Sequence, residues 1–84
     1  MIWRELKMNY NIVKHIGTLS DGKITTELNV IEWNGRKAQY DLRRWSVDET
    51  GERTPLKGLC LSDSELEVLK QLIKTIVNQP SITS

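Results

Sequence analysis

The chain has 84 residues, 38% of them hydrophobic and 27% charged, and a formal net charge of +1. That length supplies one small domain whose limited core a second copy of the chain would extend. No apolar run reaches the roughly 18 residues of a membrane helix, the single cysteine, Cys60, has no internal disulfide partner, and one Cys with one His cannot furnish a zinc site.

The opening stretch "MIWRELKMNY" carries Arg4, Glu5 and Lys7 and lacks the apolar segment of a secretory signal. With the lone cysteine it points to a reducing, cytoplasmic setting. Residues 1–10 read as a poorly ordered extension, within which Met8 is an alternative start. Residues 12–19, "IVKHIGTL", are rich in β-branched types and end at the turn "SDGK". "ITTELNVIEW" (24–33) then alternates with period two, placing Ile24, Thr26, Leu28 and Val30 on one face.

Asn34-Gly35 follows, a strong hairpin signal. "RKAQYDLRRWS" alternates again, with Ala38, Tyr40 and Leu42 sharing a face. The polar stretch "VDETGERT" (47–54) reads as a loop, and "PLKGLCL" (55–61) as a fourth strand with proline at its first position. Ser62 and Glu65 then form a capping box, and Leu66, Leu69, Leu72, Ile73, Ile76 and Val77 recur at helical spacing until Asn78 and Pro80. The expected fold is α+β: a four-stranded antiparallel curved meander and one amphipathic helix, with the domain over 11–79 and a loose tail over 80–84.

Hairpin register decides the role of the aromatics. A two-residue loop at Asn34-Gly35 sets Leu28 opposite Asp41 and drives a carboxylate into the core. A three-residue loop (34–36) matches Leu28 with Leu42, Val30 with Tyr40 and Trp33 with Lys37. Burial favours the second. One helix covers one face of a sheet, so with the helix on the Leu28/Val30/Tyr40/Leu42 side, the opposite face is expected to be open. It carries Trp33, Lys37, Ile31, Gln39, Asn29, Asp41, Glu27, Arg43 and Trp45; Glu27 lies opposite Arg43, and an exposed ion pair between them is the alternative role for that arginine. Indoles stack on unpaired bases, and flanking cations neutralise phosphates. The net charge is near zero, yet residues 33–46 concentrate Arg36, Lys37, Arg43 and Arg44 against one acid, Asp41. The pattern points to single-stranded nucleic acid. A module docking a protein through the same aromatic face is the alternative.

At these residues the chain resembles the transcriptional coactivator family of positive cofactor four, and most of all its small bacterial YdbC-like branch. The likeness rests on "WNGRKAQYDLRRWS", the loop "VDETGERTP" and "LKGLCLSDSELEVLKQLI", and spans residues 11–77. It implies a curved sheet with a C-terminal helix, dimerisation, and binding of single-stranded or melted DNA with little sequence preference. By matching position it also implies contacts from Trp33 and Arg36 at the hairpin tip, Arg43 and Trp45 on the third strand, and Lys57 before the fourth-strand glycine, with Lys37 added by the charge pattern. Three features depart from the eukaryotic members: Asn34 at a tip position often basic there, an extra residue between the turn glycine and Asp41, and no serine-rich N-terminal region.

The helix carries a broader apolar stripe than the roughly 100° that one face needs. Leu66, Val68, Leu69, Leu72, Ile73 and Ile76 are therefore the expected homodimer interface. His15 and Cys60 read as structural, the acids of residues 48–52 lack calcium-loop spacing, and "GERTPLKG" is no phosphate loop. No enzyme activity, metal or cofactor is expected. The expected partners are single-stranded DNA, with RNA also open, and a second copy of the chain, in transcription, replication or repair.

Overall fold

In the computed structural model, residues 9–77 are described. The expectations for the extension at 1–8 and for the tail, together with the side chain of Val77, lie outside them. Strands β1 (Tyr10–Ser20), β2 (Ile24–Trp33), β3 (Gln39–Val47) and β4 (Arg53–Leu61) form one antiparallel sheet in the order β1-β2-β3-β4, followed by helix α1 (Asp63–Val77). The α+β meander expected from the sequence is the observed fold. Two boundaries move. β1 starts at Tyr10, inside the stretch read as a loose extension, and β4 starts at Arg53, which makes Pro55 its third residue. Pro55 is tolerated there because β4 is an edge strand and a bulge lies beside the Trp45–Pro55 pair.

The β2–β3 register pairs Leu28 with Leu42 and Val30 with Tyr40, as burial of apolar pairs demands. The turn combines both loop geometries considered above. Asn34 (φ 53°) and Gly35 (φ 75°) are both left-handed and Arg36 N–H donates to the Trp33 carbonyl at 2.9 Å, the signature of a two-residue tip. The ladder nevertheless closes only at Ile31–Gln39, so residues 36–38 leave the strand and absorb the odd residue. The tip is tied to β1: Asn34 N–H donates to the Asn9 carbonyl at 2.7 Å, and Asn9 N–H donates to Asn34 Oδ1 at 3.1 Å.

Curvature sets where the core lies. β1 carries three register shifts, between Ile12 and Lys14, His15 and Gly17, and Thr18 and Ser20, and β3–β4 carries another between Arg43 and Trp45. Each extra residue bends and twists its strand. The sheet therefore curls around the face bearing the odd-numbered residues of β2 and β3, and that face seals itself. Thr25, Glu27, Asn29, Ile31, Asp41 and Trp45 are all buried there. The opposite face and the helix are the wetter side: Leu28, Val30, Tyr40 and Leu42 are half-buried, while Leu59, Val68, Leu72, Ile73 and Ile76 are exposed. The face expected to be open, because one helix covers only one side, is thus the buried one.

At the helix start, the Ser62 N–H donates to Glu65 Oε1 at 2.9 Å and the Glu65 N–H to Ser62 Oγ at 3.1 Å, the reciprocal capping box.

Candidate nucleic-acid interface

The site is built outward from a buried carboxylate. Asp41 is fully buried on β3, and its Oδ1 accepts from Arg43 Nε at 2.8 Å. Its Oδ2 accepts from an Arg43 terminal nitrogen at 2.7 Å, from Trp33 Nε1 at 3.0 Å and from the Cys60 thiol at 3.4 Å. Residues 41 and 43 share a face because strand side chains repeat every second residue, and the β3–β4 register adds Cys60. Arg43 sends its remaining terminal nitrogen to the Leu56 carbonyl at 2.9 Å, so its guanidinium is held on three sides. The guanidinium centre lies 4.6 Å from the centroid of the Trp33 ring, a cation–π stack. The Asp41 hydrogen bond holds Arg43 above its ordinary pKa, outweighing its partial burial, so the residue is permanently cationic. Burial, then the neighbouring Asp41, pushes the Cys60 thiol up, which keeps it a neutral donor.

A second network lies alongside. Glu27 accepts from Thr25 Oγ1 at 3.2 Å, Asn29 Nδ2 at 3.2 Å and an Arg53 terminal nitrogen at 2.7 Å. Burial would raise its pKa, but the hydrogen bonds from Arg53, Asn29 and Thr25 and the Arg53 charge together hold it below the ordinary value. Glu27 therefore pairs with Arg53, and Arg43 with Asp41; the alternative Glu27–Arg43 ion pair does not form, although the two residues are opposite in register.

The six expected contact residues fall into three groups. Trp33, Arg36, Lys37 and Arg43 come together with Asn34, Gln39 and Cys60 around an open concavity of about 250 Å³. Arg36 and Lys37 are exposed there, and no ion pair engages them among the described residues. Lys57 is exposed on β4 beside Gly58, the register partner of Arg43, but does not line the concavity. Trp45 is the correction. It is 0% exposed, packed under the Tyr10 ring at 5.4 Å and the Arg53 guanidinium at 4.8 Å, so its indole is no platform for a base. Tyr10 also leans on Trp33 at 5.2 Å. Neither Tyr10 nor Arg53 figured in the sequence-based set. The first lay in the supposed extension, and the second lay in the supposed loop.

The remaining polar groups support the structural reading. His15 is on β1 and Cys60 on β4, at opposite edges of the sheet, and His15 Nδ1 is 2.6 Å from Asn29 Oδ1. In the 48–52 loop Asp48 Oδ1 accepts from Thr50 N–H at 2.9 Å, Thr50 Oγ1 at 2.7 Å and Glu52 N–H at 2.9 Å. Its carboxylate closes a turn. Among the described residues no three His, Cys, Asp or Glu side chains cluster as metal ligands, and no helix is long and apolar enough to cross a membrane.

Residues 23–72, more than half of the chain, match the family model for transcriptional coactivator p15 (PC4). The chain belongs to the PC4 family. It is also 34% identical over 74 residues to an uncharacterized protein of Treponema pallidum (strain Nichols), an alignment covering 86% of this chain and 84% of that protein. The family match runs from the β1–β2 turn into α1, so it contains the whole concavity and both buried networks. PC4 proteins are a non-enzymatic family known for binding single-stranded DNA, and membership supports a nucleic-acid-binding role at that level.

Proposed function

We propose that the chain binds single-stranded DNA, without marked sequence preference, at the hairpin tip formed by Trp33, Arg36, Lys37 and Arg43. The observation that carries this reading is the juxtaposition of two exposed cations, Arg36 and Lys37, in no ion pair among the described residues, with a half-exposed indole braced by Arg43 around one concavity. An unpaired base stacks on an indole whatever its identity, and the cations take the phosphates that accompany it. A duplex keeps its base faces covered and offers its phosphates and groove edges, neither of which an indole can stack on. Lys57, exposed on β4 outside the concavity, takes a further phosphate at the edge of the sheet. The processes served are those that expose single strands: transcription, replication or repair.

The protein acts as a homodimer through Leu66, Val68, Leu69, Leu72, Ile73 and Ile76. The support for this is the imbalance of burial: Ile31 and Trp45 are the buried hydrophobic residues among those described, whereas four of the six helix positions are exposed. A groove of about 500 Å³ runs between the helix and sheet, lined by Leu42, Leu59, Leu61, Val68, Leu69 and Leu72. An apolar surface of this kind on so small a domain calls for a partner, and a second copy supplies matching apolar chemistry.

The test is a tryptophan-fluorescence titration with oligo-dT, poly-U and a duplex at several salt concentrations. Quenching by single strands, with affinity falling at a log–log slope of about −0.7 per phosphate neutralised, is the expected result. Replacing Arg36 or Lys37 with Ala lowers that slope for every sequence alike. An affinity indifferent to salt, or no response to single strands with a protein partner captured instead, sinks the reading. Equal response to oligo-dT and poly-U extends the ligand to RNA.

A further inference from the structure

We infer that Asp41, the one acid in the basic stretch, is the positioning residue of the single-strand site. This rests on the nucleic-acid reading above and deepens it. A carboxylate beside a polyanion's path is electrostatically adverse, so its presence at the centre of such a face needs a compensating role. The geometry supplies one. A single buried carboxylate holds both members of the Arg43–Trp33 stack: Oδ2 takes the indole N–H at 3.0 Å and one guanidinium nitrogen at 2.7 Å, and Oδ1 takes the Arg43 Nε at 2.8 Å.

Each member has other contacts, the Leu56 carbonyl on Arg43 and the Tyr10 ring on Trp33, but only Asp41 binds both. Trp33 is the last residue of β2, beyond the final β2–β3 pair, and Nε1 is its polar handle. The Arg43 fork matches the carboxylate in plane, which fixes the guanidinium 4.6 Å from the Trp33 ring centroid. The Cys60 thiol, at 3.4 Å from Oδ2, completes the donor set. The outcome is an aromatic platform with its orientation set before the base arrives, so less freedom is lost on binding.

The sign of one experiment separates this role from plain electrostatics. Asp41→Asn removes a negative charge from the binding face, and charge alone predicts tighter binding to oligo-dT at low salt. Positioning predicts the opposite: binding about tenfold weaker, expressed in the affinity extrapolated to 1 M salt, with the salt slope unchanged. Glu49→Gln, the same charge change on the exposed 48–52 loop, serves as the control and leaves that extrapolated affinity unaltered. Trp33→Phe keeps a stacking ring but lacks the N–H donor. The Asp41→Asn and Trp33→Phe effects should therefore be less than additive in a double-mutant cycle. Circular dichroism and thermal unfolding restrict the comparison to folded protein.

Binding by folded Asp41→Asn that equals or exceeds wild type, or fully additive losses, overturns the positioning role while leaving single-strand binding intact. Failure of the wild-type protein to bind oligo-dT removes both.

Discussion

Glu27 and Arg53 lie on β2 and β4, strands that share no edge, yet their side chains meet at 2.7 Å across β3. The bridge crosses the sheet where Trp45 is buried, and the Arg53 guanidinium lies 4.8 Å from the Trp45 ring centroid. Three strands are thereby fastened on the curled face by one ion pair and the ring beneath it. The acids of that face, Glu27 and Asp41, are each paired with an arginine, while Arg36 and Lys37 at the hairpin tip engage in no ion pair among the described residues.

That pair makes stability depend on acid. The folded-state pKa of Glu27 is below the ordinary 4.5, so the folded protein favours the ionised carboxylate more than the unfolded chain does. Its contribution is complete above about pH 4.5 and is lost as pH falls through the lower folded value. Glu27→Gln should be less stable than wild type at pH 7, and the gap should narrow on acidification. Urea unfolding midpoints between about pH 3 and 7 check this; a constant gap would show that the linkage is absent.

The two indoles should separate by phenotype. Trp45→Ala empties a fully buried site and should cost about 3–5 kcal/mol of stability, measured by chemical denaturation. Trp45→Phe should be far milder, because Trp45 Nε1 is a buried donor with no partner among the described residues and its removal relieves that penalty. Trp33→Ala should instead preserve the fold and weaken oligo-dT binding by about 1–3 kcal/mol. Equal stability losses at the two positions would contradict the burial difference.

Gly58 allows β4 to approach β3 closely. A Cβ there would overlap the Cβ of Arg43 and come within 2.6 Å of the Leu42 carbonyl oxygen. Since backbone cannot yield as a flexible side chain does, Gly58→Ala should separate the strands at Arg43, destabilise the protein by more than about 1–3 kcal/mol and weaken single-strand binding. Unfolding and binding measured on the same preparation test the coupling; an alanine variant matching wild type in both would refute it.

Charge on the helix should act on assembly. Leu72→Glu or Ile76→Glu places a carboxylate on an exposed apolar face, and sedimentation equilibrium should show a mass halved from that of the wild type. If wild type and variants have equal mass, the helix is not the interface.

Much of this protein is legible from residue order. Periodicity two in 24–33 and 39–46, the β-branched and apolar runs at 12–19 and 55–61, Asn34-Gly35 and the Ser62/Glu65 box determine four strands, one turn and one helix, because these are local preferences of neighbouring residues. The Leu28–Leu42 register follows as well, since a slip by one inverts every side chain. Alternation also places Trp33, Asp41, Arg43 and Trp45 on one face. The charge cluster at Arg36 and Lys37 is equally plain in the chain.

Which face would be concave was not written in that alternation. It was decided by bulges on β1 and between β3 and β4, where several extra residues, each locally unremarkable, add up to a bend that closes the odd face over Trp45. The same bend carries Tyr10 onto both indoles and brings Arg53 to Glu27, contacts between residues more than twenty positions apart. Local sequence thus determined the elements and the face each side chain joins. Tertiary curvature alone decided that one indole became core while the other stayed at the rim, because burial depends on the summed geometry of all four strands.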